Sequence, residues 1–133
     1  MITIVKKTNK ETGDIAEKFV VEWFKKKGIK AYIEKGKKGY DVKAGNKLIE
    51  VKGSDQSFEQ KTFFKLNETQ YNAVRKNKNY WLYWVDTKKM EMVLEINRKE
   101  ILENAKPSMH FDVYLSKLKK KKIRNEKRLE KIN

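Results

Sequence analysis

The alternation of apolar and polar positions divides this chain into short amphipathic elements. In residues 11–27, ETGDIAEKFVVEWFKKK, the side chains Ile15, Ala16, Phe19, Val20, Trp23 and Phe24 recur at helical spacing and form one broad apolar stripe. Thr8 or Thr12 supplies an N-cap, acidic residues lead, lysines close the last turn, and Gly28 suits the left-handed position just past the end. Residues 29–35, IKAYIEK, read as a strand. Residues 40–44 and 47–52 each alternate with period two, and Gly45-Asn46 between them fit a two-residue hairpin loop, where positive φ is required. KTFFKL, 61–66, reads as a further short strand. A helix follows over 67–77, with Tyr71 and Val74 inward and Gln70 in the reciprocal position of a capping box opened by Asn67. NYWLYWVD, 79–86, is apolar on both faces and predicts a central strand, its Trp81, Tyr83 and Trp84 packed in a core and not stacked on bases. MEMVLEI, 90–96, alternates with Met90, Met92, Leu94 and Ile96 inward, which predicts a half-exposed edge strand. Residues 98–104 read as a short helix that ends before Pro107, and ITIV at 2–5 fits either a strand or an arm. The sum is an α/β fold in the order α-β-β-β-(β)-α-β-β, a mixed central sheet flanked by helices.

The hairpin carries the sharpest chemical signal. Its loop sets Ala44 opposite Lys47, Val42 opposite Ile49 and Asp41 opposite Glu50. Tyr40, Val42, Ile49 and Val51 then form the core face, and Asp41, Glu50 and Lys52 share the other. Directly opposed side chains have Cβ atoms about 4.5–5.5 Å apart, so two carboxylates there repel. A divalent cation between them turns repulsion into ligation, and Mg²⁺ is content with one or two carboxylates plus water or phosphate oxygens. Lys52 places an ammonium beside that point. An isolated E-x-K on a surface strand is ordinarily a solvated ion pair. The opposed Asp41 and the filled apolar face favour a site instead.

Composition points to a polyanionic partner. The 133 residues suffice for one modest core and include 33 Lys and Arg against 18 Asp and Glu, a net charge of +15. Nucleic acid fits this excess best and an anionic membrane second, with DNA against RNA left open by composition. The charge is uneven. Over 116–133, SKLKKKKIRNEKRLEKIN, nine Lys or Arg stand against two Glu, which divides the chain into a folded body, 1–115, and a basic tail, 116–133. Lys119, Lys120, Lys121 and Lys122 in that tail, and Lys37 and Lys38 in the Gly36–Gly39 turn beside the carboxylates, are the candidate backbone-binding residues. With no Cys there is no disulfide framework or thiolate zinc site; no apolar run approaches a membrane span, and the start MITIVKK lacks a secretory core. The expectation is a cytoplasmic protein without a membrane partner. His110, the single histidine, sits in MHFDVY and reads as structural.

G-Y-D-V followed by I-E-V-K-G resembles the motif of the PD-(D/E)XK nuclease superfamily, with Tyr40 where a Pro usually precedes the Asp. That superfamily includes restriction endonucleases and Holliday junction resolvases, and the flavour here is nearest to small Mrr-like domains. The likeness spans about residues 11–97. It implies a restriction-endonuclease-like fold with an α-β-β-β-α-β core, and a Mg²⁺-dependent deoxyribonuclease, structure-specific or serving restriction or repair, in which Mn²⁺ can substitute. By the same resemblance Asp41, Glu50 and the carbonyl of Val51 hold the metal. Lys52 orients the attacking water or donates to the scissile phosphate, and Glu17, in Gly13-x-x-x-Glu17, completes the shell. An ordinary boundary carboxylate is the equal alternative for Glu17. Related enzymes sometimes add a polar residue from the helix after the motif, here Glu68 or Gln70, though capping explains both. They often act as homodimers. A second class stays open: a nucleic-acid-binding module on a nuclease-like scaffold, without turnover. A basic protein that docks on membrane surfaces through the tail is a distant third.

Overall fold

The computed structural model describes residues 8–60, 63–107 and 111–119. Its elements run α1 (Asn9–Lys25), β1 (Ala31–Ile33), β2 (Val42–Ala44), β3 (Lys47–Ser54), a single 3₁₀ turn (Phe58–Gln60), β4 (Phe63–Leu66), α2 (Glu68–Lys76), β5 (Tyr80–Asp86), β6 (Glu91–Asn97), α3 (Arg98–Asn104), β7 (Ala105–Pro107) and β8 (Phe111–Tyr114). The α/β order expected from the pattern is present.

Five strands form the central sheet in the order β1-β2-β3-β5-β6. The β3–β5 pair is parallel and the other neighbours are antiparallel, so the sheet is mixed. The β2–β3 hairpin has the predicted register, Val42 against Ile49 and Ala44 against Lys47, and Gly45 takes φ +57° in its loop. β5 is the buried inner strand and β6 the edge. Thr8, not Thr12, caps α1 by accepting from the Glu11 N–H, and Gly28 follows the helix at φ +77°. Both halves of the Asn67–Gln70 capping box are formed.

Packing is three-layered. On one face of the sheet α1 lays Ala16, Val20, Val21 and Phe24 against Val42, Ala44, Ile49, Val51 and Val85. On the other, α2, α3 and a second sheet cover Tyr80, Leu82, Trp84, Leu94 and Ile96. That second sheet, β4-β8-β7, joins segments distant in sequence, which the alternation pattern does not reveal. Its Phe64 packs on Trp84 of β5, and Gln70 of α2 covers Glu50 on the hairpin.

Four expectations change. Both faces of the hairpin are covered, so Glu50 is only 3 % exposed. Tyr40 packs with the α2-side cluster, apart from Val42, Ile49 and Val51. Met90 sits in the β5–β6 turn at φ +54° and is exposed, because the turn spends it on reversing the chain. The packed body also runs past residue 115: Leu118 is buried in the α2-side cluster and the Lys119 N–H donates to the Leu115 carbonyl. The predicted 2–5 segment, His110 and Lys120, Lys121 and Lys122 lie outside the described residues. No described helix is long and apolar enough to cross a membrane.

Candidate metal and active site

The carboxylates gather just before β2 begins, where β3 runs on past it. Asp41 precedes β2, and its N–H donates to the Ile49 carbonyl at 2.8 Å although Ile49 is already the register partner of Val42. Two successive residues thus face one, the signature of a β-bulge, which bends a strand and re-aims a side chain. The expected placement of Asp41 squarely opposite Glu50 is altered by that irregularity. Its carboxylate turns to the β3 flank and accepts the Val51 N–H at 2.9 Å. Within a strand a residue's N–H and C=O point the same way, so the Val51 carbonyl also faces this flank.

Asp41 is the middle acid of three. Its carboxylate lies within hydrogen-bonding reach of Glu17 on α1 and of Glu50 on β3. Glu17 reaches it because α1 lies close on the sheet. A Cβ on Gly53 would stand 2.6 Å from the Ala16 Cβ, so only the pair of small residues admits this approach. Burial first, then the Asp41 charge, pushes the Glu17 carboxyl up to about 7. Glu50 is raised well above the usual carboxylate range, chiefly by burial, with Lys52 opposing the shift and Asp41 adding to it. The predicted residues Glu17, Asp41, Glu50 and Lys52 are therefore brought together. They do not converge as a closed ligand cage: among the described residues no three acidic, His or Cys side chains are grouped to hold a metal ion.

The two oxygens of Glu50 have different surroundings. Oε1 accepts from Gln70 Nε2 at 2.9 Å and stands 3.6 Å from Lys52 Nζ. The orientation of Gln70 is fixed chemically. Its Oε1 accepts the Asn67 N–H at 2.9 Å, so its other end must be the donor. Gln70 thus caps α2 and holds Glu50 at once. Glu50 Oε2, by contrast, is buried with no hydrogen-bond partner. The neighbouring acid, Asp41, is another acceptor, and two acceptors in contact need a proton or a cation between them. The Tyr80 hydroxyl also lies within reach of Glu50, but its single proton is already given to the Gly39 carbonyl. Burial, then Glu50 and Asp41, raise its pKa and keep it protonated, and it donates to the Gly39 carbonyl at 2.6 Å.

That donor set fits a hard divalent cation. Asp41, the bare Glu50 Oε2 and the Val51 carbonyl are all oxygens on one flank, the chemistry that Mg²⁺ or Mn²⁺ prefers.

The other predicted contact residues are scattered. Lys37 and Lys38 are exposed on the Gly36–Gly39 bend, Lys38 paired with Glu34 at 3.7 Å. Gly39 anchors that bend on α2: at φ +85°, a Cβ there would stand 2.7 Å from both the Ala73 Cβ and the Thr69 carbonyl oxygen. Lys119 is engaged internally, donating to the Glu59 carbonyl at 2.6 Å. Glu68 is exposed in the first turn of α2. Tyr80 is a neighbour of the site that sequence reasoning misses. Nothing in NYWLYWVD separates its aromatic residue that supports a loop from those that fill the core.

No curated protein and no solved structure matches the chain significantly. One family model does, over residues 12–96, from the first turn of α1 to the end of β6, and so takes in every residue of the site above. Its description is "Protein NO VEIN, C-terminal", a family grouped with the restriction-endonuclease-like, PD-(D/E)XK-related folds, and the chain belongs to it.

Proposed function

We propose that this protein is a metal-dependent nuclease that hydrolyses phosphodiester bonds in DNA. The observation that carries the reading is the bare, buried Oε2 of Glu50 beside the Asp41 carboxylate. A structural carboxylate would be expected to be fully hydrogen-bonded or replaced by an apolar residue. Asp41, Glu50 and the Val51 carbonyl would hold Mg²⁺ or Mn²⁺. Such a cation supplies Lewis acidity that makes water nucleophilic near neutral pH and offsets charge on the transferred phosphoryl group. Lys52, partly exposed and 3.6 Å from Glu50, is placed to donate to a phosphate oxygen or orient the attacking water. Glu17, with its carboxyl near 7, is poised to exchange a proton at the margin of the site. Gln70 keeps Glu50 from rotating its bare oxygen away. A junction-resolvase-like or restriction-type substrate, and action as a homodimer, belong to this same reading.

A second reading has an observation of its own. The acids do not close into a three-ligand group among the described residues, and Lys52 is already drawn to Glu50. That suits a binding module that has no turnover. The two separate in one experiment: branched, single-stranded and duplex DNA, and RNA, incubated with the protein in Mg²⁺, Mn²⁺ or EDTA. The nuclease reading expects metal-dependent cleavage that Glu50→Ala abolishes while binding persists. Salt-sensitive binding without cleavage in either metal would leave the module.

A further inference from the structure

Three lysines line a shallow groove at the opposite end of the hairpin from the carboxylates. The groove, of about 420 Å³, is bounded by Lys43, Lys76 and Lys78 with Asn46, Asn77 and Asn79, and no acidic side chain borders it. Some lysines of the fold sit against carboxylates, Lys25 on Glu22, Lys38 on Glu34 and Lys99 on Glu103, whereas no such pair engages these three among the described residues. Three like charges left unpaired around one concavity repel each other, unless an anion lies among them.

Two independent rulers place this groove relative to the acids. Lys43 is paired with Leu48 in the hairpin, two residues from Glu50 along β3, which is about 7 Å of strand. Along α2, Gln70 touches Glu50 and Lys76 borders the groove, six residues apart or about 9 Å of helix. Both distances exceed the roughly 3.4 Å axial rise of one duplex nucleotide, so the groove would meet a phosphate other than the one at the acids. The exposed Lys37-Lys38 bend, anchored by Gly39 on the middle of α2, lies over the same stretch. Amide side chains between the lysines supply neutral donors to phosphate or sugar oxygens.

We infer that the Lys43–Lys76–Lys78 groove binds phosphates of a nucleic-acid strand that flank the one held at Asp41 and Glu50. Its position as a flanking subsite rests on the nuclease reading, whereas its capacity to bind a strand does not. The groove reads charge and not bases.

The test is binding of a fluorescent single-stranded oligonucleotide in EDTA over a salt series. The variant carries Lys43→Gln, Lys76→Gln and Lys78→Gln. A charge-matched control carries Lys18→Gln, Lys25→Gln and Lys99→Gln, and circular dichroism confirms the fold of each. Removing one lysine–phosphate interaction flattens the slope of log affinity against log salt by about 0.7. The expected result is a slope flatter by about 1.4 or more in the groove variant than in the control, and affinity at low salt at least about tenfold weaker. The oligonucleotide should also protect Lys43 and Lys78 from acetylation, which inorganic phosphate at equal phosphate concentration should not. Equal slopes in the two variants, or no protection, overturns the groove. Cleavage by the unmodified protein in Mg²⁺ or Mn²⁺ is read separately. A flattened slope without any cleavage keeps the groove and sinks the nuclease; cleavage with matched slopes does the reverse.

Discussion

Two ionisable side chains on β3, Lys47 and Glu50, are three residues apart, on opposite faces of one strand, and meet very different surroundings. Lys47 lies on the α1 face. Its ammonium sits 4.2 Å from the Trp81 ring centroid, within 6 Å of Phe24 and Tyr83, and 3.2 Å from the Tyr83 hydroxyl, and it feels the Glu95 charge. Burial lowers its pKa and Glu95 pulls it back up. Ring faces and a hydroxyl meet the charge directly. Glu50, on the α2 face, is more deeply buried and keeps one oxygen bare. Lys47 is met by ring faces and a hydroxyl, whereas one oxygen of Glu50 has no donor among the described residues.

The contrast breaks most visibly in activity. Glu50→Ala should lower metal-dependent DNA cleavage by about 100-fold or more, the scale of losing one electrostatic element of a transition state, while Lys47→Met leaves the rate within about threefold. Initial rates on the preferred substrate measure both, and equal losses would erase the distinction. Next in size is Gly39→Ala. A positive φ and two approaches of 2.7 Å leave a methyl no room, so the cost in thermal or urea unfolding should be about 1–3 kcal/mol, with cleavage reduced as the Asp41 bulge shifts.

The pH dependence sharpens the comparison further. In the unfolded chain Glu17 ionises near 4.5; folded, it holds its proton up to about 7. Between those values the fold binds more protons, so metal-free stability should fall as pH rises from about 4.5 to 7 and level off above, with Glu50 adding a decline of the same sign. Thermal melts should show this slope, flattened by Glu17→Gln, and Mg²⁺ should offset it by replacing protons between the acids. A melt that strengthens over that range would contradict the crowded acid site. The smallest expected effect is the stability change of Lys47→Met, about 1 kcal/mol in urea unfolding. A flexible apolar chain can lie on the same rings, and the loss is one hydrogen bond to Tyr83.

Much of this was written locally. Gly45-Asn46 fixed the hairpin and its register, the α1 stripe fixed which face of that helix is buried, and Asn67 and Gln70 marked the start of α2. Each follows from residues within a turn or two of each other, so spacing and propensity suffice. The pairing of acids with a lysine, D-x₈-E-x-K, was legible for the same reason: a tight loop leaves its two strands little choice of register.

Only the tertiary structure decided what the acids meet. The bulge at Asp41, the α2-side packing over Glu50, the reach of Gln70 from its cap to Glu50 Oε1, and the Ala16–Gly53 approach that brings Glu17 over Asp41 all join residues far apart in the chain. Such contacts are selected by how whole faces cover one another, which no local pattern encodes. The sequence by itself determined that two acids and a lysine share a hairpin. Burial, imposed from the other side of the fold, determined that one acid would be short of a partner.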